Sequence, residues 1–96
     1  HADIRSAMDR ALANGRGIRI RCETIGEANA LRQKFYTCRK IDRDENRRTY
    51  PEDNILHGRS VYDALTIYPA SGEAEEIYCV IEVSSAERLE ERIEEL

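Results

Sequence analysis

The chain predicts a two-layer α+β fold in the order α-β-α-β-β-α. Three observations carry that expectation. "GIRIRCE" (17–23) alternates apolar and charged residues, as a half-buried strand does. "VYDALTIY" and "EEIYCVIEV" are two further strand-like runs joined by the turn signal "PASG" (69–72). Three other segments place apolar residues at helical spacing. A three-stranded sheet with a hairpin over 61–83 and helices packed on one face follows. Its 96 residues, 41% of them hydrophobic, suit a single domain spanning 1–96.

In chain order, Ile4, Ala7, Met8, Ala11 and Leu12 follow the i, i+3, i+4, i+7, i+8 rule of one helix face. Asn14-Gly15 ends that helix with a left-handed residue. In the strand that follows, Ile18, Ile20 and Cys22 share one face, and Arg19, Arg21 and Glu23 the other. "TIGE" (24–27) is a capping box, with Thr24 holding the N–H of Glu27 and Glu27 reaching back. The next helix is expected from Ile25 to about Asp42, packing Leu31, Phe35 and Cys38 on the sheet with Ala28 and Ile41 at the margins. Residues 43–60, rich in Asn, Asp, Pro and Gly, read as an irregular loop pinned by Ile55 and Leu56. In the last strand Ile77, Cys79, Ile81 and Val83 form the core face. Ser84 with Glu87 repeats the capping box, opening an acidic C-terminal helix over 85–96 with Ala86, Leu89, Ile93 and Leu96 on its apolar side.

Charge is unevenly spread. The net charge is −4, yet residues 1–60 carry 13 Lys/Arg against 9 Asp/Glu, and residues 61–96 carry 2 against 10. Such asymmetry between halves points to an interaction surface. No apolar run approaches a membrane span of roughly 18 residues, and the start reads as an amphipathic helix, not a secretory signal. Cys22, Cys38 and Cys79 are an odd set without C-x-x-C spacing, each on an expected core face. They read as small apolar filler in a reducing cytoplasm.

The positive charge concentrates in "LRQKFYTCRKIDRDENRR" (31–48), with seven Lys/Arg and two aromatics. On a helix, Arg32, Tyr36, Arg39, Lys40 and Arg43, with Arg47 if the helix persists, fall within an arc of about 100° well away from the core face. No acid interrupts that ribbon. A merely solvated helix would alternate both signs. Regular cations can track phosphates and a tyrosine among them can stack on an unpaired base. Arg19 and Arg21 extend the basic surface if their side of the strand adjoins the helix. The plain alternative is a solvated face whose cations pair with the chain's own acids.

Catalytic constellations are thin. His57, Ser60 and Asp63 supply the types of a nucleophile triad, but no nucleophile elbow surrounds them. Asp63 and Glu82 loosely resemble the acidic pair of PD-(D/E)xK nucleases, but Glu82-Val83-Ser84 lacks the lysine and no proline precedes Asp63. There is no P-loop, no dinucleotide fingerprint and no metal-spaced His pair. No enzyme activity, cofactor or metal is therefore expected.

From "GRGIRIRCETIGEANALRQKFYTCRKIDR" through "YDALTIY", about two-thirds of the chain resembles small bacteriophage-encoded accessory proteins, which place an "ALR…FY..RK" helix after a short strand. The resemblance implies a protein acting on DNA or a host machine, in the host-cell cytoplasm. The leading expectation is a small nucleic-acid-binding protein that sets Arg19, Arg21, Arg32, Arg39, Lys40, Arg43 and Arg47 on phosphates and stacks Tyr36. The alternative is an interaction module or homodimer that binds and modulates a host protein.

Overall fold

Antiparallel pairing of three strands in the order β1-β3-β2 organises the computed structural model, which describes residues 2–68, 77–84 and 94–95. The elements are α1 (Ala2–Asn14), β1 (Gly17–Cys22), α2 (Ile25–Thr49), a 3-10 turn (Val61–Ala64), β2 (Leu65–Ile67) and β3 (Ile77–Val83). Pairing sets Ile18 opposite Ile81, Ile20 opposite Cys79 and Ile67 opposite Ile81, so one face of the sheet is continuously apolar. Ile4, Met8 and Ala11 of α1 and Ala28, Phe35 and Cys38 of α2 close over that face. Both helices thus lie on one side, as expected. Burying side chains the size of Phe35, Met8 and Ile81 contributes about 1.5–3 kcal/mol each.

Local chemistry sets the boundaries. α1 stops at Gly15, whose φ of 75° suits glycine. Gly17 opens β1 at φ 143° beneath the Ile81 carbonyl, where a Cβ would collide. The Thr24 hydroxyl accepts from the Glu27 N–H at 3.0 Å. The Glu27 carboxylate reaches one residue further back than the expected box, accepting from the Glu23 N–H at 2.9 Å.

Three expectations need correction. α2 does not stop near Asp42 but runs to Thr49, so only residues 50–60 are irregular. The added turns are held from outside: Arg5 of α1 bridges to Asp42 at 3.2 Å and to Glu45 at 3.8 Å. Pro51 then forces Tyr50 into extended backbone (φ −109°, ψ 141°) and ends the helix. The first hairpin strand begins only at Leu65. Ser60 caps the 3-10 turn by accepting from the Tyr62 N–H at 3.0 Å, while the Asp63 carboxylate accepts from the Ser60 N–H at 3.1 Å. Ile55, expected as an anchor, is 80% exposed, and Ile41 is 40% exposed. Tyr62 anchors the turn instead. The expected turn 69–72 and helix 85–96 lie outside the described residues, except that Glu94 and Glu95 carry no regular secondary structure.

Tyr62 is 3% exposed and donates its hydroxyl to Asp9 at 2.8 Å, tying the turn to α1. Burial first, and then the Asp9 carboxylate, push its pKa from 10.0 up to about 12. A folded-state value above the unfolded one means this stability is whole below pH 10 and lost as pH rises towards 12. The loss is on the order of 2 kcal/mol. Urea denaturation should therefore show wild type weakening more steeply than Tyr62→Phe over that window. Parallel curves would mean that Tyr62 ionises no differently in the folded chain.

Candidate interaction site at the sheet edges

A three-stranded sheet has two edges, and the ladder pattern shows which backbone groups they expose. The Tyr68 N–H donates to Val80 and the Ser84 N–H to Ala64, so the even-numbered residues beside β2 face β3. Leu65 and Ile67 therefore turn their carbonyls outward. The basic ribbon of α2 meets them there. Arg39 donates to the Leu65 carbonyl at 3.1 Å, and the Tyr36 hydroxyl donates to the Ile67 carbonyl at 3.1 Å. Residues two apart on a strand and three apart on a helix advance by comparable lengths, about 7 and 5 Å, so the two rows match.

Most of the rest of the ribbon has partners too. The Arg32 and Arg39 guanidinium carbons lie over the Tyr36 ring, 5.4 and 5.3 Å from its centre. Arg43 pairs with Asp63 through its Nε at 2.6 Å and through a second nitrogen. Arg47 bridges to Asp44 at 3.3 Å. Burial, then the nearby Arg43 charge, lower the Arg39 pKa. Burial alone would raise the Asp63 carboxyl, but the Arg43 hydrogen bond and the Ser60 N–H take it below the usual range. The Arg32 Nε is buried with no hydrogen-bond partner among the described residues. Lys40 alone of the ribbon is exposed with no described polar partner. The ribbon is thus not remote from the core, since Tyr36 packs against it. It lines an edge strand because that strand needs donors.

Arg19 and Arg21 belong to the opposite edge. The Val83 N–H donates to Arg16, which makes Ile18, Ile20 and Cys22 the residues bonded to β3. Gly17, Arg19 and Arg21 then direct their N–H and C=O groups away from the sheet. Gly17 is satisfied by the Asn14 carboxamide, which donates to its carbonyl at 2.7 Å and accepts from its N–H at 2.8 Å, as a neighbouring strand would. The next outward N–H, that of Glu23, is held by Glu27. Between these two stops, no described group reaches the outward N–H and C=O of Arg19 and Arg21. A groove of about 500 Å³ runs along this open stretch, between Asp3, Ser6, Ala7 and Arg10 of α1 and residues 18–21 of β1.

The two basic surfaces are therefore separate. Arg19 and Arg21 project on the sheet face turned away from the helices. There the Arg19 guanidinium lies 4.6 Å from the centre of the Tyr78 ring, and 40%-exposed Tyr68 shares the face. Sequence reading missed Asn14 as an edge cap and Tyr78 as the partner of Arg19, because both depend on which strands become neighbours.

The triad candidates have local partners instead. The His57 Nδ1 donates to the Tyr50 carbonyl at 2.8 Å, and Ser60 and Asp63 cap the 3-10 turn. The three cysteines are free and buried, and burial raises the thiol of Cys22 and pushes that of Cys79 up to about 11. Among the described residues, no group of three or more His, Cys, Asp and Glu could hold a metal, and no helix is long and apolar enough to cross a membrane. Comparison with known proteins finds no matching family model, no similar curated protein and no similar solved structure.

If Arg39 serves the β2 edge, Arg39→Met should cost about 1–3 kcal/mol of stability by leaving the Leu65 carbonyl without its charged donor. Lys40→Met on the same ribbon should change stability by less than about 0.5 kcal/mol. Urea denaturation of the two variants makes the comparison. Equal effects would return the ribbon to a solvated face.

Proposed function

We propose that this chain is a protein-interaction module that takes an extended segment of a partner protein as a fourth strand on the open edge of β1. The observation that carries the reading is that no described group bonds the outward backbone of Arg19 and Arg21 beside a groove, on a sheet whose other edge has its outward carbonyls met by Arg39 and Tyr36. Strand addition draws affinity from main-chain hydrogen bonds and selectivity from alternate side chains. Exposed edges are a hazard that folds usually blunt, so an edge left open between two side-chain caps invites a partner. Three free, buried thiols suit a reducing, cytoplasmic setting.

A second reading has its own support. Arg19 over Tyr78, with Arg21 and Tyr68 on the same open face, is chemistry that can stack an unpaired base and meet its phosphate. On that reading labelled single strands bind, lose affinity between about 50 and 200 mM salt, and weaken in Tyr78→Ala.

Peptide display against the immobilised chain tests the first reading. Arg21→Pro removes an outward N–H and leaves the β1–β3 ladder whole, a position where an edge strand tolerates proline. Peptides enriched on wild type should lose binding to Arg21→Pro while circular dichroism stays unchanged. Enriched peptides that bind both chains equally would exclude this edge as the site.

A further inference from the structure

We infer that the segment received by β1 is acidic at alternate positions, with the pattern apolar-acidic-apolar-acidic-apolar. This inference rests on the strand-addition reading and names the partner's chemistry at the same edge.

Among the described residues the open window is two ladder positions wide. Asn14 closes it at Gly17 and Glu27 closes it at Glu23. An antiparallel segment therefore gains four main-chain hydrogen bonds, two with Arg19 and two with Arg21. Directly opposed residues share a sheet face. The two partner residues bonded to Arg19 and Arg21 thus place their side chains beside two exposed guanidinium groups, on the face away from the helices. Carboxylates there meet opposite charge. The intervening partner residues turn to the other side, towards half-buried Ile18 and Ile20 and the groove wall at Ala7. Apolar side chains of modest size fit that side. Arg10 on the groove wall adds a third cation, with Asp3 the one acid among the described residues that line it.

The same geometry disfavours a second copy of this chain as the occupant. With Gly17 and Glu23 closed, two-fold pairing of β1 with β1 sets Arg19 or Arg21 against Arg19 or Arg21 of the copy. Like charges directly opposite one another destabilise a strand pair.

The test uses the full chain and a labelled seven-residue peptide, Thr-Val-Glu-Val-Glu-Val-Thr, read by fluorescence anisotropy. Versions with both acids replaced by lysine or by threonine run beside it. A fourth version is N-methylated at both acidic residues, which blocks the bonds to β1 without changing charge. The acidic peptide should bind at least about tenfold more tightly than the lysine peptide, and N-methylation should weaken it about tenfold or more. Arg19→Glu/Arg21→Glu should invert the preference towards the lysine peptide. If acidic, neutral and lysine peptides bind alike while N-methylation still weakens them, the acidic pattern is wrong and strand addition stands. If N-methylation has no effect, or no peptide binds at about 1 mM, strand addition fails as well.

Discussion

The outward carbonyls of Leu65 and Ile67 impose the constraint on which the rest of this fold depends. A short edge strand beside a buried core cannot leave its acceptors bare without a desolvation cost. Arg39 and Tyr36 meet that demand from α2. Their reach fixes how α2 lies along the sheet, which in turn seats Phe35 and Cys38 over β3. It also accounts for the lone tyrosine in a basic ribbon. The hydroxyl bonds the strand, while the ring supports the Arg32 and Arg39 guanidinium groups. The long helix beyond Asp42 belongs to the same arrangement. Arg43 holds Asp63, and Asp63 caps the turn that delivers the chain into β2.

Among the described residues the opposite edge receives no such cover. α1 leaves a groove beside β1 in place of a row of donors, and of the described side chains only Asn14 and Glu27 bond the outward backbone, one at each end. At β2 the outward carbonyls are met by one charge-assisted bond from Arg39, worth about 1.5–3 kcal/mol, and one neutral bond from Tyr36, worth about 0.5–1.5 kcal/mol, whereas among the described residues β1 is stopped only at its margins. That asymmetry is the ground for proposing β1 as the edge that takes a partner strand. It also changes the meaning of the chain's positive charge. Much of the ribbon bonds the fold, and the cations beside the β1 groove are Arg19, Arg21 and Arg10.

Much of the fold was legible because it is set by local period. The alternation of Ile18, Ile20 and Cys22 and the spacing of Ile4, Met8 and Ala11 each name a face without reference to neighbours. The end of α2 was not legible. Its last turns, "RDENRRT", carry no apolar period and are held by Arg5, 37 residues away from Asp42 in the chain. The 3-10 turn was missed because "VYDAL" reads as strand until Ser60 and Asp63 are recognised as a cap. The ribbon itself was found by its wheel, but its bonds to the β2 edge were not. A helical wheel shows which residues share a side, and only the strand order β1-β3-β2 shows that this side faces an edge in need of donors. The same order separates Arg19 and Arg21 from α2.

Residue-resolved amide hydrogen exchange on the full chain, without any partner, tests most directly whether one edge is sealed and the other open. The amides of Ile18 and Ile20, bonded to β3, should be protected. Those of Arg19 and Arg21 should exchange at least about a hundredfold faster, since no described group bonds them. Four equally protected amides would contradict the account, because something would already cover the edge that it leaves open.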